Sequence, residues 1–105
     1  MAWLWLAIAA AFEVGWAIGL KRAADAPGVA IWAATAAAML ASIVFLALAV
    51  RDLPIGTAYA VWTGTGAAGV FIAGILLFGE PADVPRLASV GLIVAGVAGL
   101  KFLSP

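Results

Sequence analysis

The charged residues of this 105-residue chain are not scattered. Lys21, Arg22 and Asp25 fall together, Arg51 and Asp52 form a pair, Glu80, Asp83 and Arg86 form a third group, and Lys101 stands near the end. Between these breaks run four apolar segments, at about 2–20, 28–50, 55–78 and 85–103. Each is long enough for a helix across ~30 Å of hydrocarbon at ~1.5 Å per residue, the last with its interfacial ends included. None shows the period-two alternation of a strand. With 68% hydrophobic residues and a mean hydropathy of +1.25, the chain also lacks the polar residues to coat a soluble domain. The expected fold class is therefore an all-α membrane protein with four transmembrane helices in a single domain, residues 1–105.

Local chemistry marks the boundaries. "DAPG" (25–28) breaks the chain before the second helix. "RDLP" (51–54) offers Asp52 as an N-cap with Pro54 in the first turn of the third helix, and "GEPADVP" (79–85) offers Asp83 and Pro85 to start the fourth. Loops this short make consecutive helices antiparallel neighbours. The first segment lacks the basic n-region of a signal peptide and is interrupted by Glu13, so it reads as a retained membrane helix.

Several functions are excluded early. Net charge is zero, which argues against nucleic acid as a partner. The absence of Cys and His removes thiol chemistry, disulfides and the usual zinc site. No nucleophile–base pair, metal cluster or phosphate loop is evident, so neither an enzyme nor a cofactor is expected.

Glu13 is the one charge outside the breaks. No Lys, Arg or His lies within seven residues of it, and no other helix interior supplies one. An ionised group at that depth is costly, and intramembrane acids usually serve function. A proton, or a cation from outside, is the partner that remains; a permanently protonated, hydrogen-bonded Glu is the structural alternative. A proton-carrying ring subunit would also hold one buried acid, but four helices with an aromatic cluster fit it badly.

Candidate companions follow from helical spacing. Trp16 lies one turn from Glu13, where its N–H could reach the carboxylate and its face could stack on a cation. Tyr59, Trp62 and Thr63 share a face of the third helix, although Tyr59 and Trp62 could instead anchor the interface, as Trp3, Trp5 and Trp32 are expected to do. Ser42 is the small polar residue near the middle of the second helix, with Met39 one turn earlier; its hydroxyl could also simply bond its own helix backbone. The third helix carries four glycines in "GTGAAGVFIAG" (64–74), which invite either a kink or close packing. In the fourth, Gly91, Ala95 and Gly99 fall four apart and make a small-residue face suited to a dimer contact or to packing within the chain.

Orientation is nearly undetermined. Lys21, Arg22 and Arg86 fall on one side of the membrane, Arg51 and Lys101 on the other, with the N-terminal amine close to evening the count. Such a chain could insert both ways round or hold one topology for other reasons. Two opposed copies would form an antiparallel dimer, supplying from two subunits the inverted repeat that many transporters carry in one chain. Two Glu13 carboxylates meeting there would titrate as a coupled unit.

"FEVGWAIGLK" (12–21), "LPIGTAYAVWTGTGA" (53–67), "FGEP" (78–81) and "GLK" (99–101) resemble the small multidrug resistance family, in its guanidinium-exporter branch. The resemblance covers nearly the whole chain. It implies an antiparallel, dual-topology homodimer in a bacterial cytoplasmic membrane, exchanging protons for guanidinium-type cations. The central Glu of that family corresponds to Glu13, and the remaining site positions to Trp16, Ser42, Tyr59 and Trp62; by their place on the helices, Ala10, Met39 and Thr63 are possible lining beside them. A planar guanidinium with its fork of N–H donors suits a carboxylate, and aromatic faces add cation–π attraction. Ala10 departs from the glycine usual one turn before the Glu, which bears on how strictly the site selects its substrate. Export of bulkier quaternary ammonium cations, or service as half of a heterodimer, are the alternatives within the family.

Overall fold

A computed structural model describes residues 1–103 as four helices: α1 (Ala2–Asp25), α2 (Val29–Ala49), α3 (Ile55–Phe78) and α4 (Val84–Leu103). All four are long and apolar enough to cross a membrane. The shortest, α4, has 20 residues and spans about 30 Å.

Helix α1 runs past the expected boundary at residue 20. Lys21 and Arg22 end the apolar run but do not break a helix, and Lys21 Nζ lies 3.5 Å from Asp25 Oδ1 one turn on. The helix stops at Ala26, extended at φ −142° and ψ 77° as a residue before proline must be, with its N–H on the Arg22 carbonyl.

The expected Asp52 cap is not formed. Pro54 occupies the N-cap of α3, with no side-chain hydrogen bond, and the Asp52 amide instead turns back to the Ala49 carbonyl at 3.2 Å. Proline can sit there because its missing N–H has no partner to lose at that position. Asp83 does cap α4: its Oδ1 accepts the Arg86 amide at 3.0 Å. Pro85 then occupies the second helical position, where an N–H is also dispensable.

The helix is continuous through the four glycines of α3, and they allow close packing. A Cβ on Gly64 would stand 2.6 Å from Val97 of α4, and one on Gly69 would stand 2.6 Å from Val14 of α1. Backbone-to-side-chain approach of this kind is how helices associate in lipid, where apolar burial gives little net drive.

Packing is uneven. Helix α1 lies against α2 most extensively and then against α3, while α4 packs on α3, with the Val97 side chain against the α3 backbone at Gly64. The buried cluster, Ala2, Leu6, Ala49, Leu53, Ala58 and Val61, sits at the end of the molecule that holds the N-terminus and the α2–α3 loop. Trp3, Trp5 and Trp62 pack against it. Trp5 and Phe12 both stack on Phe45, at 5.7 and 5.8 Å between centroids, joining α1 to α2. Trp3 carries Lys101 Nζ 4.7 Å from its ring centroid, so two of the expected interfacial tryptophans are also packing groups. Helix α4 has no buried residue, and nothing lies within 4 Å of a Cβ placed on Gly91 or Gly99. Its small-residue face is therefore open, and packing within the chain does not account for it.

Candidate functional site

Glu13 lies in α1 with its carboxyl laid on the backbone of α3 at Gly66. A methyl group at position 66 would stand 2.6 Å from the carboxyl carbon, so only glycine leaves room for the acid. Glu13 Oε2 is out of contact with solvent and has no hydrogen-bond partner among the described residues. The ion pair among the described residues, Lys21–Asp25, lies at the end of α1. A buried carboxylate oxygen without donor or cation is costly, and such groups call for an explanation.

Around it opens a crevice of about 450 Å³ between α1 and α3, lined by Glu13, Trp16, Thr63, Gly66, Phe71 and Glu80 among others. Helical spacing put Trp16 beside Glu13 and grouped Thr63 with Tyr59 and Trp62; the crevice joins Trp16 and Thr63 to Glu13, and neither Tyr59 nor Trp62 lines it. Trp16 makes no hydrogen bond to the carboxylate; it is half-buried and presents itself to the same space. The Thr63 hydroxyl donates to its own helix at the Tyr59 carbonyl, 2.9 Å away.

Ser42, Trp62 and Tyr59 form a second group. Ser42 is fully buried, and its hydroxyl bonds across helices rather than along its own. Ser42 Oγ donates to the Ala9 carbonyl of α1 at 2.7 Å and accepts Trp62 Nε1–H of α3 at 3.0 Å. One hydroxyl thus ties three helices together, one turn from Glu13. Tyr59 meets Trp62 edge-on, with centroids 5.5 Å apart and planes at 63°, and is itself exposed.

Ala10 and Met39 lie elsewhere. Ala10 is buried on a separate groove of about 320 Å³ toward the opposite end of the molecule, with Trp3, Leu6, Val97 and Lys101. Met39 is exposed on α2 and lines neither space. The Glu13–Gly66 contact stands between the two, on the shared α1–α3 seam.

Three lining features were not singled out from sequence. Gly66 seats the carboxyl of Glu13, and no spacing rule separates it from the other glycines of α3. Phe71 lines the crevice and carries the Arg86 guanidinium 5.6 Å from its centroid. Glu80 read as a loop charge, yet it lines the same crevice as Glu13. The signal for it lay in Gly79, the left-handed C-cap of α3 at φ 65°, which turns the chain back so that Glu80 N–H reaches the Gly74 carbonyl at 3.1 Å.

Four apolar helices around an unpaired acid and its crevice define a small multi-pass membrane protein. Residues 1–93 match the family model described as Small Multidrug Resistance protein. The chain is 55% identical over 101 residues to a protein of Citrobacter freundii named guanidinium exporter, covering 96% of each. It is 52% identical over 104 residues to one so named from Yersinia pseudotuberculosis, covering 99% of this chain and all of the relative. A third so named, from Escherichia coli, is 50% identical over 101 residues. The chain belongs to the small multidrug resistance family.

Proposed function

We propose that this protein exports guanidinium and small guanidinyl cations by proton-coupled antiport, working as an antiparallel, dual-topology homodimer. The observation that carries the reading is the Glu13 carboxylate beside a crevice, with one buried oxygen that no donor or cation among the described residues reaches. Such a group binds a proton or an incoming cation, and not both. Competition between the two at one site is sufficient for exchange. The names of the relatives supply the cation, and its chemistry agrees: a flat guanidinium can pair with Glu13 through its N–H fork while Trp16 offers an aromatic face.

Ser42, Tyr59 and Trp62 complete the site in this reading. The Ser42 hydroxyl is committed to Ala9 and Trp62, so its part is to hold α2 and α3 against α1 at the level of Glu13. Tyr59, held edge-on by Trp62, is left exposed beside them. The open Gly91, Ala95 and Gly99 face of α4 supports a second copy as its cover. The near-even Lys and Arg count supports that copy being inverted.

The test is guanidinium-driven proton movement in proteoliposomes, with Glu13→Gln alongside. Flux in the parent and none in the folded variant is the expected result. Mixing the two forms extends it: if both carboxylates of a dimer are needed, activity falls as the square of the parent fraction. Proton-coupled flux retained by Glu13→Gln would refute the mechanism, and a linear fall on mixing would refute the shared pair.

A further inference from the structure

Two carboxylates line the crevice, and α3 seats both. Glu13 rests on Gly66. Glu80 folds back from the Gly79 turn onto Gly74, where a Cβ would stand 2.8 Å from its carboxyl carbon. The two seats are eight residues apart on one helix, about 12 Å along its axis, which places Glu80 toward the end of α3 and Glu13 within the span. Glu80 is exposed and also lines a smaller pocket with Lys21, Val70, Gly74 and Phe78. The cations near it have other partners: Lys21 faces Asp25 at 3.5 Å, Arg22 stacks on Phe78 at 5.6 Å, and Arg86 stacks at 5.6 Å on Phe71, a ring of the same crevice.

Phe71 gives the second, independent observation. Its ring lines the crevice and already carries a guanidinium, that of Arg86. The mouth therefore repeats the composition of the inner site: a carboxylate with an aromatic face beside it, Glu80 with Phe71 outside and Glu13 with Trp16 inside. The Arg86 guanidinium lies on this ring, so the face suits that group, and an incoming cation takes it only by displacing Arg86.

The geometry points to an outer binding station for guanidinium-type cations, formed by Glu80 and Phe71 at the mouth of the crevice that leads to Glu13. This rests on the exporter reading and deepens it. A cation leaving water meets a seated negative charge and an aromatic face before it reaches the buried acid. Attraction of this kind acts mainly on encounter and weakens with ionic strength. In an inverted dimer the two stations face opposite sides of the membrane, so one lies on each route to the paired acids.

The experiment is guanidinium-driven exchange in proteoliposomes, measured against guanidinium concentration at low and high ionic strength. The forms compared are the parent, Glu80→Gln, Gly74→Ala and Glu13→Gln. Glu80→Gln is expected to raise KM by about two- to fivefold at low salt, the range of an exposed ion pair, with kcat changed less than about twofold. High salt should close most of the gap. Gly74→Ala keeps the charge but evicts it from its seat, and should raise KM in the same direction. An unchanged KM in both variants, or a fall in kcat at parental KM, would overturn the station while leaving the exporter intact, provided the parent transports and Glu13→Gln does not. A parent without guanidinium flux would overturn the exporter reading, and the station with it.

Discussion

Ser42 gives the most quantitative handle on the molecule. Its hydroxyl joins Trp62 of α3 and the Ala9 carbonyl of α1 across α2, by bonds of 3.0 and 2.7 Å, and it is wholly buried. Ser42→Ala removes both bonds and leaves the part-buried indole N–H without this acceptor. Interhelical hydrogen bonds in membranes average ~0.6 kcal/mol, with a maximum near ~1.7, because the separated helices also find partners. Two such bonds predict a loss of about 1–2 kcal/mol, with the orphaned donor pushing toward the upper end. Trp62→Phe removes the donor but also trims a ring, so its own cost mixes packing with hydrogen bonding. The double-mutant cycle separates them. Reversible unfolding in mixed micelles of the parent, the two single variants and the double variant should give a Ser42–Trp62 coupling of about 0.6 kcal/mol or more. A coupling indistinguishable from zero would refute the tie. A Ser42→Ala protein of parental stability that has lost guanidinium affinity would show instead that the hydroxyl faces the substrate.

Gly66→Ala tests the seat of the acid: the added methyl must displace the Glu13 carboxyl, which costs about 1–3 kcal/mol if the backbone gives way instead. If Glu13 is the binding group, as proposed, exchange should fall about tenfold or more through its misplacement while the protein remains folded in detergent, and a variant with parental flux and KM would dismiss the seat. Asp83→Ala removes the cap on the Arg86 amide and should cost about 1 kcal/mol in thermal unfolding, with KM for guanidinium unchanged. Asp83→Asn, which can still accept that bond, should recover most of the loss; no recovery would mean the aspartate acts through its charge.

The parts of this molecule written in the sequence are those set by one helix at a time. Four spans follow from where the charges are not, and helical spacing puts Trp16 beside Glu13, whereas Thr63 reaches the crevice without Tyr59 and Trp62, the residues it shares a face with. The aspartate caps show how far such reasoning reaches. Asp83 and Asp52 look alike on paper, each two residues before a proline. Yet Asp83 accepts the Arg86 amide, whereas the tighter turn after α2 takes the Asp52 amide back to Ala49 and leaves Pro54 to open α3. What a single helix cannot encode is which glycine faces which neighbour. Four glycines of α3 are interchangeable as symbols, but Gly64 meets Val97, Gly69 meets Val14, and Gly66 and Gly74 meet carboxylates. That division follows from the rotation of α3 against α1 and α4, a property of pairs of helices. Glu80 was hidden for a related reason: a charge just past a helix end reads as solvated until a left-handed glycine folds it back. Both acids of the crevice are thus placed by missing side chains. A site made by absent methyl groups tolerates no enlargement at its two seats, whereas its aromatic walls can be replaced by other flat rings. Substrate preference should therefore be tunable at Trp16 and Phe71, and exchange itself should depend on Gly66.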